Sequence, residues 1–356
     1  MKPIQPGALQ GRNVFRPTRQ PKCPPPPRIF MPSITRARNA ALCQGIAEPR
    51  QLATILVEDR PGRHPTIVLG GFVPDSTEQV YLMRRMLFQS GSVYYVNYSR
   101  RGFSLELLCA QLDDLIEELT VTRGVRPVIL TVSFGGGLLV EWLRRARAAQ
   151  RSADIAGAIF VSPVACIGDV LDPLEPKPKT LTARALKPYF DPPDTISRSV
   201  VERSQAIFSK MFNSGAQNRA ALLGLMNAVE IERFLREVIV SIKGLDHAGA
   251  SERVRALGQF VEPGEWRTPD CLGLTEAPTL ILYAESEGSV LTGNSPTRSA
   301  LEGDIQRLFP SGECRVVTGG SNPVQHASLI FHHLQFLPHV EDFYRELKAR
   351  KVRVAA

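Results

Sequence analysis

Short apolar runs alternate with longer segments of helical apolar spacing from about residue 50 to residue 162. The runs are rich in β-branched and aromatic residues, which is typical of buried strands. They predict strands at residues 52–57, 66–69, 92–98, 128–132 and 156–162. The segments between them predict helices at residues 76–91, 105–119 and 135–149. Apolar strands that alternate with helices indicate an α/β fold with a mostly parallel, doubly wound sheet covered on both faces.

The alternation stops at about residue 163, and six prolines between residues 173 and 193 exclude long regular elements there. Patterns resume as helices at residues 197–213 and 228–243, then as strands at residues 279–283 and 314–318. Pro338 is suited to begin a last helix, because proline fits the first helical position. The folded chain therefore divides into a first sheet segment (48–165), a helical insertion (166–270) and a second sheet segment (271–356).

Residues 1–47 differ in composition from the rest of the chain. They contain eight lysines and arginines, no acidic residue and four consecutive prolines at positions 24–27, which favour an extended polyproline conformation. We expect an extension that is disordered or lies along the protein surface. Its basic composition also leaves open an organellar transit peptide, or a tail that contacts polyanions or membranes.

The charge distribution and the cysteine content of the chain argue against several classes of function. The chain has 43 basic and 35 acidic residues, so the eight basic residues of the extension account for the whole net charge of +8. The folded part is balanced, which argues against a nucleic-acid partner. No run of about 18 apolar residues predicts a membrane span. Six cysteines at least 20 positions apart offer no CxxC pair. We expect a cytoplasmic protein, with organellar targeting left open.

The junction after the strand at 128–132 is the most informative stretch for chemistry. The strand runs directly into Ser133, and three glycines at 135–137 begin a helix at once. A serine on so tight a turn exposes its hydroxyl at the carboxyl edge of the sheet, beside the positive end of the helix. An ordinary turn with a serine N-cap has the same local pattern, so partners elsewhere must decide between the two.

Four segments together resemble the α/β-hydrolase superfamily, over about residues 50–165 and 275–350. They are similar, in chain order, to its oxyanion loop, the turn after the next strand, the nucleophile elbow, and the acid and histidine segments. These stretches are 67–72 (IVLGGF), 98–104 (YSRRGFS), 131–135 (TVSFG), and 279–287 (TLILYAESE) with 325–326 (QH). The order of serine, acid and histidine is the family's own order.

Two positions depart from the family pattern. The elbow usually has glycine where Thr131 stands, and we expect this β-branched side chain to crowd the helix. The oxyanion loop commonly begins with histidine, where this chain has Gly70. The second departure need not weaken oxyanion binding, because the donors are backbone N–H groups.

The resemblance implies a role for each of five residues. Ser133 is expected to be the nucleophile and His326 the general base and acid, with Glu287 orienting the imidazole. The backbone N–H groups of Phe72 and Phe134 are expected to form the oxyanion hole. The other acids that the loops offer are Glu285, Asp169 and Asp172. The histidines that could replace His326 are His332 and His333.

A serine nucleophile implies an acyl-enzyme formed from an ester, thioester or amide. The insertion 166–270 resembles the family's cap, which supplies the pocket for a small-molecule acyl substrate. We expect a serine hydrolase acting on carboxylic esters or thioesters. An acyltransferase or C–C bond hydrolase with the same residues, or a non-catalytic ligand-binding protein, remains the alternative. No HExxH, Walker A or EF-hand motif is present, so no metal or nucleotide cofactor is expected.

Overall fold

The computed structural model describes residues 27–172, 177–191, 196–215, 222–269 and 271–354. The strands of this part are Arg28–Ile29 (β1), Thr54–Glu58 (β2), Thr66–Leu69 (β3), Val93–Asn97 (β4), Val128–Val132 (β5), Gly157–Val161 (β6), Thr279–Ala284 (β7) and Gly312–Val317 (β8). They form one sheet in the order β1-β2-β4-β3-β5-β6-β7-β8. β2 is antiparallel to β1 and β4, and every pair from β4 to β8 is parallel.

Helices cover both faces of the sheet. Their bounds are Arg36–Cys43 (α1), Ser76–Gln79 (α2), Arg84–Leu87 (α3), Leu105–Glu117 (α4), Phe134–Ala148 (α5), Leu181–Leu186 (α6), Arg198–Gly215 (α7), Ala228–Gly244 (α8), His247–Leu257 (α9), Pro296–Leu308 (α10) and His333–Val354 (α11). This arrangement confirms the predicted doubly wound α/β fold. β3 and β5 have the predicted bounds, because each is a continuous run of buried residues between turn residues.

The core divides into two layers, one on each face of the sheet. Within β5, Ile129 belongs to the layer that contains Leu112 of α4 and Leu138 of α5. Leu130, the next residue, belongs to the layer that contains Phe336 and Val340 of α11. Successive side chains of a strand point to opposite faces, so a fully apolar strand is needed wherever both faces are covered.

Two predicted helices differ from the observed ones. The single helix predicted at 76–91 is divided at Val80, whose φ of −103° and ψ of 14° separate α2 from a 3-10 turn and α3. The last helix begins at His333, so Pro338 lies inside α11 and not at its start. Proline removes one backbone hydrogen bond there, while Phe336 and Val340 on either side are fully buried. Burial of these side chains stabilises the helix across the proline.

Within the predicted extension, the structure describes residues 27–47, and these contain β1 and α1. β1 pairs with β2, and α1 packs on α4. The Asp114 carboxylate accepts hydrogen bonds from the N–H groups of Ala37 (2.9 Å) and Arg38 (3.0 Å), which have no acceptor within α1. Residues 27–47 thus contribute a strand and a helix to the described part of the chain, and residues 1–26 lie outside it.

The insertion contains α6 to α9 among the described residues, with no strand in that part. Ile231, Phe234 and Val238 of α8 pack in one cluster with Ile330 and Phe331 of the loop before α11. The insertion therefore rests on the loop that follows His326. Along the described chain, no helix has the length and apolar content that a membrane span requires.

Candidate active site

Ser133 stands on a strained turn between β5 and α5. Its φ of 50° and ψ of −114° lie in a region that side chains other than glycine rarely adopt. The turn is held because Ser133 N–H donates to the carbonyl of Val161 (2.8 Å) and its carbonyl accepts from Val164 N–H (3.0 Å). A Cβ at Gly135 would lie 2.4 Å from the Leu69 carbonyl oxygen, so glycine allows α5 to approach β3. The hydroxyl is thus presented at the carboxyl edge of the sheet.

Thr131 bonds to the strand beside β5. Its side chain is fully buried, and its hydroxyl donates to the carbonyl of Ile159 in β6 at 3.2 Å. The buried hydroxyl is therefore satisfied within the sheet, and the expected crowding of the helix stays a prediction.

His326 lies in the loop between β8 and α11 and contacts Ser133 directly. Its Nε2 is 2.9 Å from Ser133 Oγ, and its Nδ1 contacts Glu287 Oε2. A carboxylate can only accept a hydrogen bond, so Nδ1 carries the proton and Nε2 is left to accept one from the serine hydroxyl. The three residues come from loops after β5, β7 and β8, and the parallel sheet brings them to one edge.

Glu287 is buried, with 5% of its surface exposed. Its Oε1 accepts hydrogen bonds from Ser162 Oγ and Ala284 N–H, both at 2.7 Å. Burial raises the pKa of Glu287, but the charge and hydrogen bond of His326, with the bonds from Ser162 and Ala284, bring it below the ordinary value. The carboxylate therefore stays ionised beside the imidazole at neutral pH.

Ser162 is a site residue that the sequence analysis missed. It follows β6 directly with a φ of 46°, and its Oγ donates to Glu287 while accepting from Ala327 N–H at 3.1 Å. One hydroxyl thus links the acid to the residue after His326. The sequence signal for Ser162 was its position at the end of a predicted strand, at the same edge of the sheet as Ser133.

The other acids are used elsewhere in the fold. Glu285 accepts from the N–H groups of Gly319 and Val324, and the same bonds lower its pKa. Asp169 is fully buried and accepts four hydrogen bonds, from Ala165, Cys166, Ser295 and Thr297. Asp172 is partly buried in the same loop. Among the described residues, Glu287 is the one acid hydrogen-bonded to His326.

His332 and His333, the two alternatives to His326, contact groups other than Ser133. His332 Nδ1 lies 3.0 Å from Ser328 Oγ, and His333 Nδ1 lies 3.3 Å from the carbonyl oxygen of Ile330. Burial lowers the pKa of both imidazoles, which favours their neutral forms.

Phe134 and Phe72 lie in the two chain segments next to Ser133. Phe134 is the first residue of α5, so its N–H has no acceptor within the helix. Phe72 follows β3 in the loop that passes Ser133, and a Cβ at Gly71 would lie 3.3 Å from Ser133 Cβ. Neither N–H donates a hydrogen bond to another described residue. Both N–H groups are therefore without an acceptor among the described residues.

Known proteins resemble this chain in structure. No protein-family model matches the sequence, and no curated protein matches it. MenH from S. aureus superposes with a TM-score of 0.54 at 15% identity, over 83% of this chain and 98% of that one. An esterase (EaEST) from Exiguobacterium antarcticum superposes with a TM-score of 0.52 at 15% identity, covering 82% and 96%. The chain has the α/β-hydrolase fold.

Within the α/β-hydrolase fold, reactions differ widely, and the site must identify the chemistry. A bromoperoxidase from Bacillus anthracis also superposes, with a TM-score of 0.50 at 15% identity over 82% of this chain and 96% of that one. Two of these names, esterase and bromoperoxidase, describe different activities. At this level of identity the similarity therefore specifies the fold and leaves the reaction to the side chains at its edge.

A cavity of about 460 Å³ opens over Ser133 in this α/β-hydrolase fold. Its lining is mostly apolar and comes from the oxyanion-side loop, the insertion and the loop before α11. It includes Phe72, Phe208, Met211, Phe212, Ile242 and Phe331. No Asp, Glu, Lys or Arg contributes to the lining among the described residues. The site therefore suits an uncharged, apolar group next to the serine.

A larger groove of about 890 Å³ lies at the opposite edge, where β6 and β7 begin. Two of its arginines are paired with neighbours: Arg126 with Asp154 at 3.5 Å, and Arg147 with the Gly273 carbonyl at 2.9 Å. The Ser152 hydroxyl in this groove donates to the Asp154 carboxylate at 3.2 Å, in an exposed contact. The contact between Ser133 and His326 lies in the smaller cavity.

Proposed function

We propose that this protein is a serine hydrolase that cleaves carboxylic esters or thioesters through an acyl-enzyme. The observation that carries the proposal is the 2.9 Å contact between His326 Nε2 and Ser133 Oγ, on an imidazole whose Nδ1 contacts Glu287. Nucleophile, base and orienting acid within hydrogen-bond reach of one another are the arrangement that acyl transfer requires.

In the first half of the reaction, Ser133 Oγ attacks the carbonyl carbon of the ester while its proton moves to His326 Nε2. The carbonyl oxygen becomes an oxyanion and accepts hydrogen bonds from the N–H groups of Phe72 and Phe134. The bond to the leaving oxygen or sulfur then breaks, and Nε2 returns the proton to the leaving group. The acyl group remains on Ser133.

In the second half, water replaces the leaving group. His326 Nε2 takes a proton from water as the water oxygen attacks the acyl carbon. The bond to Ser133 Oγ breaks, Nε2 returns the proton to that oxygen, and the carboxylic acid leaves. Glu287 stays ionised throughout and stabilises the imidazolium that forms in each half.

The helices of 166–270 serve as a cap in this proposal. α7 contributes Phe208, Met211 and Phe212 to the cavity, and α8 contributes Ile242. The Phe208 and Phe72 rings stack with centroids 5.8 Å apart, so cap and oxyanion loop share one apolar wall. The uncharged lining favours small-molecule substrates with an apolar acyl group over those with a second carboxylate near the scissile bond.

A fluorophosphonate probe tests the proposal, because such probes phosphonylate an activated serine. We expect the wild type and Ser152→Ala, a control at an exposed serine, to be labelled equally. We expect Ser133→Ala to be unlabelled. An unlabelled wild type, or equal labelling of Ser133→Ala, contradicts the proposal.

Hydrolysis of p-nitrophenyl esters with and without an added alcohol or thiol separates the hydrolase from an acyltransferase. We expect the free acid to be the main product in both conditions. Transfer to the acceptor faster than hydrolysis identifies a transferase with the same residues.

A further inference from the structure

The backbone around the Phe72 N–H is fixed by side chains from three directions. Gly70 N–H donates to Ser76 Oγ (3.0 Å), and the Gly70 carbonyl accepts from the Tyr98 hydroxyl (2.8 Å). Gly71 N–H donates to Gln79 Oε1 (2.9 Å). The peptide unit that joins residues 70 and 71 is therefore anchored at both its carbonyl and its N–H.

The next anchored group lies on the other side of the Phe72 N–H. The Phe72 carbonyl accepts a hydrogen bond from Arg253 Nη1, and Arg253 belongs to α9 in the insertion. The peptide that carries the Phe72 N–H thus lies between two anchored peptides. Its orientation follows from theirs, because each peptide unit is planar and only two dihedral angles join it to the next.

Arg253 is built into this place by several contacts. The residue is 2% exposed, and its Nη2 donates to the carbonyls of Ser99 (3.1 Å) and Tyr98 (3.3 Å). Its guanidinium lies over the Tyr98 and Phe72 rings, 5.3 Å and 5.7 Å from their centroids. The guanidinium donates to three carbonyl oxygens through two separate nitrogens of one rigid plane, a geometry that the compact ammonium of lysine does not reproduce.

Burying the Arg253 guanidinium costs desolvation free energy, and filling this space in the core does not require a charged group. Desolvation lowers the pKa of Arg253 to about 10, so it still carries its charge at neutral pH. An apolar side chain of similar length would fill the same space without that cost. What the guanidinium adds is the orientation of backbone carbonyls beside the cavity.

We propose that Arg253 is a positioning residue for the oxyanion hole, holding the Phe72 carbonyl so that the Phe72 N–H faces the oxygen that develops beside Ser133. The inference rests on the proposed serine hydrolase. It makes the insertion part of transition-state stabilisation as well as of the cavity wall. A donor displaced by about 1 Å can lower the rate by about 100-fold.

The test compares Arg253→Met and Arg253→Lys with Arg255→Met. Arg255 lies on the same helix with its side chain 56% exposed, so it is a matched control. For a p-nitrophenyl ester we expect kcat of Arg253→Met to fall about 10- to 100-fold, with KM within about threefold of wild type. Arg253→Lys should fall about 3- to 10-fold, because lysine restores one donor to the Phe72 carbonyl. Arg255→Met should match wild type.

A trifluoromethyl ketone distinguishes positioning from general loss of structure, since its adduct with Ser133 carries an oxyanion. We expect its inhibition constant to rise by about the same factor as kcat/KM falls across the Arg253 variants. An unchanged kcat in folded Arg253→Met overturns the proposal, as does a loss that lies wholly in KM. If Arg253→Met does not fold, wild-type kcat in Arg253→Lys overturns it.

Hydrogen–deuterium exchange of a peptide covering residues 70–74 separates this proposal from the proposed function. We expect faster exchange in Arg253→Met than in Arg255→Met, whatever the enzyme acts on. If wild type hydrolyses no ester and takes no fluorophosphonate, the proposed function fails and the exchange result alone decides whether Arg253 fixes the loop. Equal exchange in both variants overturns the positioning role.

Discussion

The carboxyl edge of the sheet and the helical insertion form the same cavity by different physical means. At the edge, Ser133 and Glu287 lie within three residues of the ends of β5 and β7, so the ladder of backbone hydrogen bonds fixes where they stand. In the insertion, Phe208 and Phe212 face the cavity through side-chain packing between helices. In the proposed function, the edge therefore supplies the reacting groups and the insertion selects what fits beside them.

The largest expected effect is on kcat and comes from removing the Ser133 hydroxyl at the carboxyl edge of the sheet. Ser133→Ala should lower kcat by about 10⁶-fold, as removal of a working serine nucleophile does in a subtilisin-type enzyme. Its thermal unfolding should stay near that of wild type, because the residue keeps its backbone contacts and loses one hydroxyl. Stopped-flow and long-incubation assays on one ester, with calorimetry of both proteins, measure the two quantities. Retained turnover would move the chemistry to another residue.

The next effect separates the two glutamates of the same edge. Glu287→Gln should lower kcat by about 10⁴-fold, because the amide no longer stabilises the imidazolium or fixes its tautomer. Glu285→Gln is the matched control, since Glu285 bonds backbone N–H groups and not the imidazole; its kcat should stay within about tenfold of wild type. The assay is ester hydrolysis at saturating substrate. Equal losses in the two variants would show that Glu287 is not the orienting acid.

A smaller expected effect, on kcat/KM, tests whether the insertion contacts the acyl chain of the substrate. Phe212 lines the cavity and packs against Phe331, with ring centroids 5.1 Å apart. Phe212→Ala should lower kcat/KM about tenfold more for an octanoate ester than for an acetate ester, because it removes apolar contact with the chain. Leu223→Ala, at a residue 57% exposed, should leave the ratio unchanged. The same ratio in both variants would place the acyl chain elsewhere.

The smallest effect is on stability and concerns the buried carboxylate. The folded pKa of Glu287 lies below its ordinary value of 4.5, so its contribution is complete above that pH and is lost as the pH falls through the folded pKa. The difference in unfolding free energy between wild type and Glu287→Gln should therefore shrink from pH 6 to pH 3. The change is about 1.4 kcal/mol for each pH unit between the two pKa values. Urea unfolding at both pH values measures it, and a constant difference would contradict the lowered pKa.

Residues that follow strands were accessible from the sequence, because a strand end is a local signal. Ser133 was named from the strand that runs into a serine and three glycines, whereas Glu287 and His326 were named from the resemblance to the family's acid and histidine segments. The structure brings the three residues into contact. Asp169 follows β6 in the same way, yet the structure uses it to hold Ser295 and neighbouring N–H groups. The pattern locates the edge, and only the long-range packing assigns each acid to its partner.

Two helices of the insertion, α7 and α8, were predicted from their apolar spacing, but a helix without such spacing was not. α9 was missed, and its Gly249 shows why: a Cβ there would lie 2.3 Å from the Arg100 carbonyl oxygen. Close approach to the sheet segment requires glycine at this position, and glycine has weak helix propensity. The small residues beside it form no apolar stripe. α1 was missed for a related reason, since its N-terminus is held by Asp114, 77 positions away from Ala37.

Arg253 has a consequence for how freely the insertion can be exchanged. Replacing residues 166–270 with another set of helices would change the cavity wall. It would also remove the Arg253 guanidinium that donates a hydrogen bond to the Phe72 carbonyl. A graft chosen for substrate preference alone should therefore yield a slow catalyst, even where it packs well. Chimeras that restore a buried arginine at the end of the transplanted segment should recover speed without changing preference.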